Sequence, residues 1–312
     1  MTPTSPARLV YGCMGLGGDW TPGPVTPAAI DQAAAAVEAA LSIGVGVFDH
    51  ADIYRFGKAE TVFGEVLKRT PGLRERIEIQ TKCGIRLDAD HAPYDLSTIV
   101  ARVDDSLARL GVDYVDTLLL HRPDPLLEPA DVAVAVAQLH AAGKIRALGV
   151  SNMSGAQIAF LQRESPLPIV VNQLEMSLGR RDWVDSTVLV NHPDGASNTF
   201  PHGTLEYCAS NGVRLQAWGA LAQGRYSGAP TRTAAEEAAS AVVTTLAEAK
   251  NTTREAIVLG WLMRHPARID PVLGSSDPTR IRACADAAVQ AAAMTRDEWF
   301  ALYIAARGRP LP

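Results

Sequence analysis

Eight times along the chain, a short run of β-branched or Leu-rich residues is followed by a longer stretch of helical character. The runs cover residues 8–11, 45–49, 77–81, 114–120, 145–150, 169–172, 213–217 and 269–273. Helical stretches lie near 27–43, 58–69, 96–110, 129–142, 154–163, 203–211, 243–265 and 278–292. The runs are too apolar to alternate, which marks strands of a parallel sheet buried on both faces. Thr26 before Pro27, Ser154, and Asp277 before Pro278 are suited to open helices. Gly44, Gly111, Gly143 and Gly212 stand between a helix end and the next strand, where a left-handed residue is needed.

Eight strand–helix units within 312 residues predict an α/β fold, a single (β/α)8 TIM barrel domain over residues 1–312. A doubly wound sheet is the competitor, but it wants a Gly-rich dinucleotide turn. The glycines of GCMGLGGDW (Gly12, Gly15, Gly17, Gly18) do not fit GxGxxG, and no helix follows them directly. Residues 179–203 and 223–240 are overlong connections after the sixth and seventh strands. At the C-terminal face of a barrel such loops read as lids or binding loops, or else as disordered segments.

Composition excludes several function classes. There are 29 Lys+Arg against 34 Asp+Glu, a net charge of −5, with no basic stripe to recommend nucleic acid or an anionic membrane. The four cysteines (Cys13, Cys83, Cys208, Cys284) are far apart, with no CxxC and no metal-type spacing. They read as reduced thiols, and no metal is expected. Residues 1–12 lack the charged start and apolar run of a signal peptide, and Asp31, Gln32 and Glu38 make 27–43 too polar to span a bilayer. The expectation is a cytoplasmic protein, by default a monomer, acting on a small molecule.

Strand ends in a barrel point into the active-site mouth. After the proposed runs come Asp49, Lys82, His121, Ser151 with Asn152, Gln173, Trp218, and Gly274 to Ser276. Stability gives no reason to end so many strands on polar or aromatic residues; a functional mouth does. Asp49, Tyr54, Lys82 and His121 suit acid/base work on a carbonyl. A phenol titrates at about 10, an ammonium beside it lowers that value, a carboxylate holds the ammonium, and an imidazole can orient a carbonyl oxygen. Taken singly, Asp49 and Lys82 could be a structural ion pair, and His121 and Tyr54 a core histidine and a loop aromatic. His50, Asp52, Arg55 and Arg122 flank the set and read as solvated charges without a role. Ser151 sits in GVSNMSG, not GxSxG, and no hydrolase triad is apparent.

FDHADIY (48–54), Lys82 in IQTKCG, DYVDTLLLHRPDP (113–125), GKIRALGVSN (143–152), VNQLEMS (171–177) and PVLGSSDPTRIR (271–282) resemble, in order, the motifs of the aldo-keto reductases, closest to their bacterial oxidoreductase branch. The resemblance implies NADPH bound without a Rossmann fold, with NADH as the alternative cofactor. It implies hydride exchange between nicotinamide and a carbonyl or alcohol carbon, with aldehyde or ketone reduction as the default and sugar or alcohol oxidation as the other direction. By position, Tyr54 is then the general acid, Lys82 and Asp49 its pKa-setting pair, and His121 the carbonyl-orienting group. Ser151, Asn152 and Gln173 take the carboxamide, and Trp218 stacks where relatives usually place a tyrosine. The backbone of Ala220, Leu221, Gln223 and Gly224 follows the pyrophosphate. Gly274, Ser275, Ser276 and Arg280 take the adenosine 2′-phosphate. Two departures stand out: Gly274 where strong NADPH binders carry lysine, and Cys284 where they carry an adenine-contacting Asn or Glu.

Trp20, Tyr54 and His121, with Trp183 and Phe200 of the first long loop, are expected to wall the substrate pocket. Two other classes remain open: an NADP(H)-binding regulatory or interaction protein with little turnover, and an unrelated barrel lyase or isomerase that binds no nicotinamide.

Overall fold

The computed structural model describes residues 6–87 and 93–312. Part of the N-terminal stretch read for a leader, residues 1–5, lies outside them. Eight strands pair in sequence order and close into a barrel: β1 (Val10–Gly12), β2 (Val47–Asp49), β3 (Glu78–Cys83), β4 (Val115–Leu120), β5 (Ile145–Ser151), β6 (Ile169–Glu175), β7 (Arg214–Trp218) and β8 (Asp270–Leu273). Each expected run overlaps one of them, with ends that differ by at most three residues. The register pairs Gly12 with Asp49, Asp49 with Gln80, Lys82 with Leu119, and Ser151 with Gln173, so Lys82 lies two residues beyond the partner of Asp49 and His121 two residues beyond that of Lys82.

The chain contains two compact units. The first comprises Val10–Gln173 with Gly274–Pro278 and carries helices α1 (Pro27–Ser42), α2 (Lys58–Arg69), α3 (Ile99–Leu110), α4 (Pro129–Ala141) and α5 (Gly155–Gln162). Their ends follow local chemistry. Thr26 accepts the Ala29 N–H ahead of Pro27, and Ser154 with Gln157 forms a reciprocal capping box. Gly111 ends α3 at φ 66°, a conformation in which its N–H closes onto the Leu107 carbonyl. Helices α2 and α3 approach so closely that a Cβ at Gly64 would lie 2.5 Å from the Arg109 carbonyl oxygen.

The second unit comprises mainly Leu174–Leu273 and Thr279–Pro312. It holds α6 (Asp182–Val188), α7 (Thr204–Ser210), α8 (Ala234–Ala249), α9 (Arg254–Met263), α10 (Pro278–Arg282), α11 (Ala287–Ala293) and α12 (Arg296–Arg307). Its core is aromatic: Trp261 stacks on Trp299 at 5.1 Å, and each indole N–H donates to the other residue's carbonyl. Arg214 grips buried Asp270 through two nitrogens, at 2.6 and 2.9 Å, tying the starts of β7 and β8.

Four expectations are corrected in this unit. Residues 179–203 are not a bare loop; they contain α6 and a 3-10 turn, Pro193–Ser197. The 223–240 connection ends at Thr233, whose side chain caps α8. The helix expected over 243–265 is two, α8 and α9, separated where Asn251 turns left-handed and Thr253 caps again. The stretch 278–292 likewise divides into α10 and α11, and α12 was not foreseen. No helix among the described residues is long and apolar enough to cross a membrane.

Candidate active site

Lys82 organises the first unit's strand ends. Wholly buried, its ammonium spends its three N–H bonds on Asp49 Oδ2 at 2.7 Å, the His50 carbonyl at 2.9 Å and Tyr54 Oη at 3.0 Å. Asp49, also buried, accepts at its other oxygen from Gln80 Nε2 at 2.5 Å and Gln173 Nε2 at 3.1 Å. A buried ion pair needs this kind of saturation to be tolerated. The His121 ring meets the Tyr54 ring edge-on, centroids 5.9 Å apart.

Electrostatics fix the protonation states. Burial disfavours the Lys82 charge, but the Asp49 carboxylate and the Tyr54 oxygen more than offset it, so the ammonium is held above its ordinary value. Burial raises the Tyr54 phenol, Lys82 pulls it back and Asp49 raises it again, leaving it above its ordinary value. The lowering expected from the lysine alone is therefore outweighed: in the free protein Tyr54 is a protonated donor. Burial, with the Lys82 and Arg122 charges behind it, pushes His121 down to about 2, so its imidazole is neutral. A neutral imidazole N–H and a phenol O–H side by side can hold and protonate one carbonyl oxygen.

The carboxamide candidates join this network. Ser151 Oγ donates to the Gln173 carbonyl at 2.9 Å, and Asn152 Nδ2 donates to Ser151 Oγ at 2.8 Å and to the His121 carbonyl at 3.4 Å. Gln173 reaches Asp49 directly. In the same unit, the Ser275 carbonyl accepts from Tyr11 Oη at 3.0 Å, and Ser276 lies across from Gly15.

The second unit groups the other cofactor candidates. After β7 and Trp218, the backbone turns through Ala222, Gln223 and Gly224 with φ of 48°, 59° and 83°. A Cβ on Gly224 would fall 2.8 Å from an Arg280 guanidinium nitrogen, so the turn and the phosphate-binding candidate lie against each other. Arg280 is exposed, and no carboxylate among the described residues pairs with it.

A model of the aldo/keto reductase family matches residues 8–302. The chain belongs to that family. It is 37% identical over 312 residues to 6-dehydroglucose reductase of Agrobacterium fabrum, covering 97% of this chain and 95% of that one. It is 38% identical over 295 residues to 6-dehydroglucose reductase of Novosphingobium aromaticivorans, covering 92% and 88%. Among solved structures, an aldo/keto reductase from Klebsiella pneumoniae in complex with NADP and acetate has the same fold. Its TM-score is 0.72 at 23% identity, over 98% of this chain and 92% of that one.

Within this aldo/keto reductase, several residues behave differently from their sequence reading. His50 and Asp52 are buried, not solvated, while Arg55 and Arg122 are half-buried. Trp183 is no pocket wall: it is fully buried on α6, edge-on to Trp261. The apolar face of α6 draws it into the core. Gln80 was missed, although it lies two residues before Lys82 on β3, and a period of two puts both on one face. Glu60 was missed as well. Fully buried on α2, it accepts from Thr81 Oγ1 at 2.6 Å and Arg109 Nε at 2.8 Å, bracing β3 beside Lys82.

Asp52 makes a testable contribution to stability. Burial and the Glu60 charge push it up to about 7, against a partial pull from Arg102, whose Nε is 3.9 Å away, and from Arg109. The folded protein therefore keeps a proton that the unfolded chain releases near 3.8, and stability falls as pH rises through that interval. Asp52→Asn is expected to abolish this slope and to be the more stable protein above neutral pH, by on the order of 3 kcal/mol. Urea unfolding at acid and alkaline pH measures it; an unchanged slope contradicts the assignment.

Proposed function

We propose that this aldo/keto reductase reduces an aldehyde or ketone with NADPH, Tyr54 delivering the proton. The observation that carries the reading is the buried chain Asp49–Lys82–Tyr54 beside a neutral His121. Bound NADPH supplies a hydride to the carbonyl carbon. His121 holds the carbonyl oxygen, and Tyr54 gives it the proton. Lys82, kept cationic by Asp49, stabilises the oxyanion that Tyr54 becomes. A phenol held protonated favours reduction over oxidation near neutral pH. Two relatives named 6-dehydroglucose reductase support carbonyl reduction.

For the cofactor, Ser151, Asn152 and Gln173 are the carboxamide partners. Trp218 is the ring platform, and Ala220, Leu221, Gln223 and Gly224 are the pyrophosphate strap. Gly274, Ser275, Ser276 and Arg280 are the 2′-phosphate group. The fit is supported by the Gly224–Arg280 approach, where a Cβ on Gly224 would meet the tip of the guanidinium, and by a guanidinium that pairs with no carboxylate among the described residues. A planar guanidinium suits a phosphate.

Tryptophan-fluorescence titration tests the cofactor reading. Arg280→Ala is expected to weaken NADPH binding by about tenfold to a hundredfold while changing NADH binding by less than about twofold. Equal losses for both would remove Arg280 from the phosphate site. NADPH binding without consumption of NADPH across an aldehyde panel would favour the regulatory reading instead.

A further inference from the structure

Two arginines sit next in sequence to the two rings that face the carbonyl oxygen. Arg55 follows Tyr54 and Arg122 follows His121. Neither pairs with a carboxylate among the described residues, and both are half-buried. The carboxylates closest in sequence to Trp20 and Arg122 make other contacts. Asp19 holds Lys58 at 2.6 Å, and Asp124 accepts the Leu126 N–H at 2.9 Å. Arg122 is close enough to His121 for its charge to help keep the imidazole neutral.

Arg55 is also held in place at a conformational cost. Arg55 and Phe56 have φ of 53° and 59°, a left-handed backbone that bulky residues rarely adopt, and Gly57 follows at 83°. Such strain persists only where neighbours enforce it, and it gathers at functional sites. Here Arg55 Nε donates to the Met14 carbonyl at 3.1 Å, and its guanidinium lies 5.0 Å from the Trp20 ring centroid. Trp20 meets Phe56 edge-on at 6.4 Å, both rings 43% exposed. Among the described residues only Nε is engaged, which leaves the terminal nitrogens of Arg55 for a ligand, in a planar fork that matches carboxylate and phosphate oxygens.

We infer that Arg55 and Arg122 form a subsite for an anionic group, carboxylate or phosphate, carried by the carbonyl substrate, with Trp20 and Phe56 as its apolar border. In a chain of net charge −5, two cations that pair with no carboxylate among the described residues, each next in sequence to a ring of the proton-donating pair, select anionic over neutral substrates. The inference rests on the carbonyl-reduction reading.

Steady-state NADPH oxidation with two matched pairs tests it: 4-carboxybenzaldehyde against 4-nitrobenzaldehyde, and glyceraldehyde 3-phosphate against glyceraldehyde. The expected result is a KM at least about tenfold lower for the charged member of one pair, and which pair shows it identifies the group. Arg55→Gln and Arg122→Gln are each expected to raise that KM about tenfold and to erase most of the preference. Equal KM values within both pairs, or a preference untouched by both substitutions, would overturn the subsite. If no aldehyde is reduced, calorimetric titration of the NADPH complex with terephthalate and inorganic phosphate decides separately. Binding lost in both arginine variants keeps the subsite while the reductase reading fails; no binding overturns the subsite.

Discussion

Tyr54→Phe is expected to lower kcat for carbonyl reduction by on the order of 10²–10⁴-fold, with NADPH affinity within about twofold of the parent. The substitution removes one oxygen and nothing else from a packed position. Lys82 keeps Asp49 Oδ2 and the His50 carbonyl as acceptors, so its charge stays compensated. The lost Tyr54–Lys82 hydrogen bond costs about 1 kcal/mol of stability, too little to unfold the chain. His121 cannot take over as acid: burial and neighbouring cations hold it neutral, with no proton to give at working pH. Stopped-flow or steady-state NADPH oxidation reads the rate, and fluorescence quenching reads the affinity. Retained turnover would remove Tyr54 from its role.

Lys82→Met carries the largest expected loss of stability, about 3–5 kcal/mol, because it strands Asp49 as a buried, uncompensated carboxylate. Gln80 and Gln173 still donate to Asp49 but bring no charge. Without the ammonium, nothing offsets the burial that raises the Tyr54 phenol, so activity is expected to fall at least as far as in Tyr54→Phe. The thermal midpoint is expected to drop on the order of 10 °C. Pairing the change with Asp49→Asn separates the causes. If the stranded charge is responsible, the double variant recovers part of the loss and lies well above the sum of the single effects. Strict additivity would mean that the two side chains are not coupled.

The strands were legible from their apolar runs, and the candidate site from the polar residues that close or follow several of them. Asp49 closes its apolar run and ends β2, His121 follows β4, and Lys82, read as the residue after its run, lies one residue inside the end of β3. Helix α2 was legible to the residue, its amphipathic spacing bounded by Gly57 and Thr70. The segments after β6 resisted. Helix α8 begins in Ala- and Glu-rich sequence with no strong apolar face, so its start read as loop; the Thr233 cap was the available signal. Helix α12 carries a Thr295–Glu298 capping box, a recognisable start that an eight-unit rhythm gave no reason to seek. Trp183 could not be placed from spacing, because a loop position and a helix facing the core look alike in sequence. Burial was the other limit. Asp52 and His50 are polar residues amid polar neighbours, and only the fold shows that α2 and α3 cover Asp52 and that Phe63 packs on His50.

Hydride transfer itself is the most direct test. With NADPH carrying deuterium on the transferred C4 position and an aldehyde that the protein turns over, the alcohol product is analysed by mass spectrometry. The account predicts one deuterium, on the former carbonyl carbon, in the wild-type product and almost none formed by Tyr54→Phe in the same time. Product without deuterium, or equal product from both proteins, would contradict it.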